Sequence, residues 1–150
     1  MTEDPANRRR NGGGRVRYLL HLIPLARPEV VITASGPAVV HSNDFALVTA
    51  SRPARPGEIL SLIATGLGPT RPGVDPGMPF PASPLALVNS PVVVRVNGTP
   101  VEVAYAGGYR GTADMYQVNF QLPADTRSGA ATLRLEAAWV AGPEVRIAVQ

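Results

Sequence analysis

Gln117, Asn119 and Gln121 stand at every second position of Tyr116–Leu122, YQVNFQL, so an extended chain projects all three amides from one face. Amides in such a row can exchange hydrogen bonds with sugar hydroxyls. An aromatic ring nearby, Tyr109 or Trp139, can stack on a pyranose. Tyr109, Asn119, Gln121 and Trp139 are therefore the candidate ligand-binding residues. The bland alternative is that the amides face solvent or hold neighbouring loops through their backbone. Tyr109 lies in Gly107-Gly108-Tyr109-Arg110-Gly111, where it is either a contact on the rim of a site or a lid over the core.

Other chemistry has less to build on. His21 and His41 are the two histidines, and neither stands in an H-x-x-x-H or H-x-H spacing, so a zinc site would need carboxylates from elsewhere. Zero cysteines exclude disulfides, thiol catalysis and cysteine-held metal. No G-x-S-x-G elbow occurs, and Ser61 lies inside an apolar strand. Gly66-Leu67-Gly68-Pro69-Thr70 lacks the Gly-Lys-Ser/Thr that would cradle phosphate, and reads as a turn. The carboxylates are scattered, with no calcium-loop run and no two that must meet. The expectation is a non-catalytic chain with no metal and no cofactor.

The elements that would position these residues are strands. Val92, Val94 and Val96 alternate with Val93 and Arg95, and after Asn97-Gly98 the alternation resumes at Val101, Val103 and Tyr105. Asn-Gly tolerates the positive φ of a tight turn, which predicts a hairpin and explains the Asn97-Gly98-Thr99 sequon without glycosylation. Val118, Phe120 and Leu122 oppose the amides. Glu58–Thr65 reads as a central strand covered on both sides. Leu133 and Leu135, then Val145, Ile147 and Val149, alternate in two final strands, with Gly142-Pro143 expected to turn the chain between them. Short strands at Val30–Thr33, Ala38–His41 and Ala46–Ala50 precede them.

Residues 69–91 hold seven prolines, which rules out a helix or a central strand. A long crossover loop between two sheets is expected there, with Met78, Phe80, Leu85 and Leu87 as anchors. The fold class is all-β, an immunoglobulin-like antiparallel β-sandwich over residues 28–150. Residues 1–15 are polar and Gly-rich and read as a disordered basic tail. Residues 16–27 read as an extra strand or the remnant of a preceding domain. Their apolar run is interrupted by His21 and Pro24 and falls short of the ~20 residues of a membrane span.

Net charge is +3, but it sits at the N-terminus, where Arg8, Arg9, Arg10, Arg15 and Arg17 face only Glu3 and Asp4. The rest of the chain balances arginines against carboxylates. All fourteen basic residues are Arg, a habit of composition more than a phosphate-binding design, and no nucleic-acid partner is expected.

Pro53–Glu58, Thr65–Pro69, Pro91–Gly98, Val103–Gly107, Tyr116–Asn119 and Val145–Val149 together give the chain, over about residues 30–150, a further likeness. It resembles an uncharacterised C-terminal domain family of large predicted secreted acidobacterial proteins. The resemblance implies an immunoglobulin-like, IPT/TIG-like β-sandwich at the end of an exported bacterial protein, beside that protein's other domains. It implies no activity, cofactor or catalytic residue. The expected function is a structural or adhesive module, secreted or at the cell surface, whose partner is cell-envelope material or polysaccharide. The alternative is a carbohydrate-binding module or an accessory domain of an extracellular enzyme.

Overall fold

The structure, a computed structural model, describes residues 27–150. The expected tail at 1–15 and the strand expected at 16–23 lie outside the described residues. Thirteen strands follow in order: β1 (Glu29–Val30), β2 (Ile32–Thr33), β3 (Gly36–Pro37), β4 (Val39–His41), β5 (Ile59–Thr65), β6 (Thr70–Arg71), β7 (Leu87–Val88), β8 (Val92–Val96), β9 (Thr99–Val101), β10 (Val103–Gly108), β11 (Tyr116–Gln121), β12 (Gly129–Ala137) and β13 (Val140–Val149). No helix occurs among the described residues, hence none long and apolar enough to cross a membrane.

The first sheet runs β1-β5-β11-β10-β7-β6, with β4 sharing the β1 edge of β5. The second runs β13-β12-β8-β9, and β2–β3 form a small hairpin between β1 and β4. All strand pairs are antiparallel. The period-two pattern turns Leu60, Leu62, Val118 and Phe120 of the first sheet, and Val94, Val96, Leu133, Leu135, Ile147 and Val149 of the second, into a single core. Burying each of the larger of these side chains contributes roughly 1.5–3 kcal/mol before entropy. Strand β5 is central, and its Ser61 on the opposite face is also fully buried.

Several expectations need correction. The hairpin at Asn97-Gly98 exists, with φ of 50° and 85°, but its second strand ends at Val101. The chain then changes sheets at Glu102, so Val103 and Tyr105 belong to β10, beside β11 and β7. Alternation alone does not register such a change, because the period is the same on both sides of it.

Gly142-Pro143 does not turn the chain. Both residues lie inside β13, and the turn is Ala138-Trp139, with φ of 49° and 65°. Gly142 has a different reason to be glycine. A Cβ there would strike the carbonyl oxygen of Pro28, which runs against this strand.

The Pro-rich stretch is not wholly loop, since its ends form β6 and β7 and lengthen the first sheet at its edge. Of the four expected anchors only Phe80 is buried; Met78, Leu85 and Leu87 are exposed, and Ala86 is buried instead. The Phe80 ring fills the space over Gly108 and meets Tyr116 at 5.4 Å between centroids. The strand expected at Ala46–Ala50 reduces to one bridge between Leu47 and Val40, so this segment is free to fold as a loop.

Candidate functional site

Two loops meet over the outer face of the first sheet. Ser42–Ala46 follows His41, which pairs with Leu60 near the start of β5. Residues 109–115 follow Gly108, which pairs with Tyr116 at the opposite end of β11. Phe45 from the first loop stacks on Tyr109 from the second, with centroids 6.2 Å apart and planes 21° from parallel. Between them lies a cleft of about 500 Å³, lined by Phe45, Leu85, Tyr105, Tyr109, Arg110, Gln117 and Asn119 among others.

The backbone places each ring. Phe45 has a φ of 59°, strained for an aromatic residue. Three contacts hold its loop: its own amide donates to the His41 carbonyl at 2.8 Å, Asp44 accepts from the Ala46 amide at 3.0 Å, and Arg52 donates to Asp44 at 2.6 Å. The Ala46 amide and the Arg52 guanidinium hold the Asp44 carboxyl below its usual range. Tyr105 lies against Gly107, where a Cβ would strike its hydroxyl and the Ala86 carbonyl. Burial pushes the Tyr105 phenol up, so it stays a protonated donor at neutral pH. The 109–115 loop is tied to Phe80 by two backbone bonds, Phe80 to the Thr112 carbonyl at 2.8 Å and Gly111 to the Phe80 carbonyl at 2.9 Å.

A chain of side-chain hydrogen bonds forms the floor. Ser42 and Ser61 hydroxyls are 2.7 Å apart, Ser61 donates to Asn119 Oδ1 at 2.7 Å, and Gln117 Nε2 donates to the same oxygen at 3.0 Å. Asn119 Oδ1 is thus occupied twice. Among the described residues, the Asn119 amide group and the Gln117 carbonyl oxygen remain for a ligand.

Of the four candidates, the structure brings two together: Tyr109 and Asn119 line the same cleft. Gln121 does not join them. It donates to the Gly57 carbonyl at 3.1 Å and so braces the turn before β5. Trp139 stands on the β12–β13 turn, 86% exposed and outside the cleft. The sequence pattern does not single out Phe45, Tyr105 or Leu85 as cleft residues, while Arg110 enters with the 107–111 rim loop. Phe45 is brought from a loop with no periodic signal, and Tyr105 was read as a hairpin residue of the other sheet. The Gly107-Gly108 pair was the available clue, since adjacent glycines in a strand mark close approach of something large.

A larger groove, about 830 Å³, opens at the end of the sandwich around His41, Arg52, Arg55, Glu58 and Gln150. Its histidine and its carboxylate are already engaged within the chain. His41 is buried, with Nδ1 2.5 Å from Glu58 Oε2 and Nε2 3.2 Å from the Arg52 carbonyl. Glu58 Oε1 takes the Arg55 amide at 2.9 Å. Both ring nitrogens face acceptors of this chain, so His41 joins β4 to the 52–58 turn and is not offered as a base or a ligand. Among the described residues no three of His, Asp and Glu gather as a metal-binding group.

Comparison with protein-family models, with curated proteins and with solved structures finds no match for this chain.

Proposed function

We propose that this chain is a non-catalytic β-sandwich module of a secreted or cell-surface bacterial protein, adhesive through a carbohydrate held in the outer-face cleft. The observation that carries this is the convergence of Phe45, Tyr105 and Tyr109 with the Gln117–Asn119 amides around about 500 Å³. Aromatic faces suit the C–H face of a sugar ring, and fixed amides select among its hydroxyls. The secreted placement and the immunoglobulin-like assignment draw on the resemblance at Thr65–Pro69, Pro91–Gly98 and Tyr116–Asn119. An accessory role beside an extracellular enzyme is the same function in a longer chain.

A second reading, a structural end-domain without a ligand, is favoured by the bonds of Asn119 to Ser61 and of Gln121 to Gly57. Those bonds choose the test. Asn119→Ala would strip the acceptor from fully buried Ser61, at a cost of about 1–3 kcal/mol, and would confuse binding with stability. Tyr109→Ala avoids this. The full chain should be retained on insoluble polysaccharide at low and high salt, and Tyr109→Ala should weaken retention about tenfold while costing no more stability than the ~0.5–1.5 kcal/mol of its stacking on Phe45. Retention that is absent, or indifferent to Tyr109, leaves the structural end-domain.

A further inference from the structure

The cleft has a charge preference built into its lining. Eight residues line it, and Arg110 is the only charged one. Arg110 is exposed and, among the described residues, forms no ion pair; the arginines that do are Arg52 with Asp44, Arg95 with Glu136 and Arg134 with Glu144. Its own loop carries one carboxylate, Asp114, whose field acts on Tyr116. Tyr116 packs against the core on the opposite face of the sheet, and its hydroxyl donates to the Gly68 carbonyl at 2.6 Å. Asp114 therefore does not line the cleft, and among the described residues the Arg110 guanidinium has no counter-charge there.

The neighbours of Arg110 fit the rest of a sugar. Tyr109 beside it supplies a ring face, Tyr105 a phenol oxygen that can accept while its proton is directed to the Gly108 carbonyl at 3.4 Å, and, among the described residues, Asn119 and Gln117 supply an unengaged amide group and carbonyl oxygen. The described part of the chain carries nine arginines and nine carboxylates, so no general positive field would draw an anion to this face. The preference is local.

We propose that the cleft selects an acidic sugar, a uronate, with Arg110 binding the carboxylate while Tyr109 stacks on the ring. A guanidinium meets a carboxylate through two parallel N–H donors, which fixes orientation as well as charge. This rests on the carbohydrate reading of the same cleft.

The experiment measures binding of the full chain to polygalacturonate and to alginate, each in its acid and its methyl-ester form, for the wild type, Arg110→Gln and Tyr109→Ala. The acid forms should bind better than the esters by about three- to fivefold at low salt, the span expected of one exposed charge pair, and the advantage should shrink as salt is raised. Arg110→Gln should bind the acid forms only as well as the esters and keep its melting temperature, since the side chain is exposed. An acid-to-ester ratio that is the same in Arg110→Gln as in the wild type overturns the selection by charge. If the esters still bind and Tyr109→Ala still weakens that binding about tenfold, the carbohydrate reading survives it. No binding to any of these polymers overturns both.

Discussion

Ser61 shows how one small side chain ties the core strand to the cleft. It is fully buried on the outer face of β5, where an apolar residue would satisfy packing but remove one of the two donors to Asn119 Oδ1. Asp44 acts at the same scale. The Ala46 amide and then Arg52 favour its charged form and hold its pKa below the ordinary 3.8, with the charge of Arg52 and a smaller effect of His41 in the same direction. A lowered carboxylate contributes stability that is present above its unfolded pKa and lost as the pH falls through the folded value. The contribution of Asp44 should therefore be full at neutral pH and vanish well below pH 3.8. Asp44→Asn should lower the melting temperature at neutral pH, with the difference from the wild type closing in acid. A difference that persists in acid would show that the carboxylate charge is not what holds the Phe45 loop.

Two turns of the second sheet solve one geometric problem with different residues. Both tips need positive φ at two positions; β8–β9 has Asn97-Gly98 and β12–β13 has Ala138-Trp139. Alanine and tryptophan bear the left-handed conformation at a cost of about 1–2 kcal/mol per residue, which Asn-Gly largely avoids. Replacing Ala138-Trp139 by Asn-Gly should raise unfolding stability by roughly 1–3 kcal/mol, the strain of two residues less the chain entropy of the added glycine, readable as a higher denaturation midpoint at an unchanged slope. The difference also explains what was legible. Asn97-Gly98 advertises its turn, whereas Ala138-Trp139 looks like strand and Gly142-Pro143 looks like turn. The glycine at 142 answers to Pro28, more than a hundred residues away in sequence, and no local pattern carries that contact.

Across the whole molecule, the elements read most directly were those with one face buried. Tyr116–Leu122 and the Leu133–Leu135 strand each show their inner face as an apolar column, because burial acts on every second residue, while Glu58–Thr65, buried on both faces, reads as a near-continuous apolar run. The partners of these strands were not legible, since pairing is decided by segments far apart in the chain. That is why the sheet change at Glu102 escaped notice, and with it half of the cleft. Tyr109 and Asn119 were found from their own chemistry; Phe45 needed the fold. The β9 and β6 edges are short and interrupted, with Pro100 in β9 and Pro72 just beyond β6, which leaves little continuous backbone there for another chain to extend.

Trp139 carries an optical consequence of its position. It is the only tryptophan of the chain, and on its hairpin tip the indole is already surrounded by water in the folded state. Its fluorescence should therefore peak at long wavelength and be quenched readily by acrylamide before any denaturant is added. Unfolding should leave that emission nearly unmoved while far-ultraviolet circular dichroism records the loss of the sheets. A blue shift in the native protein would instead report something settling over the hairpin tip, and would do so without a label.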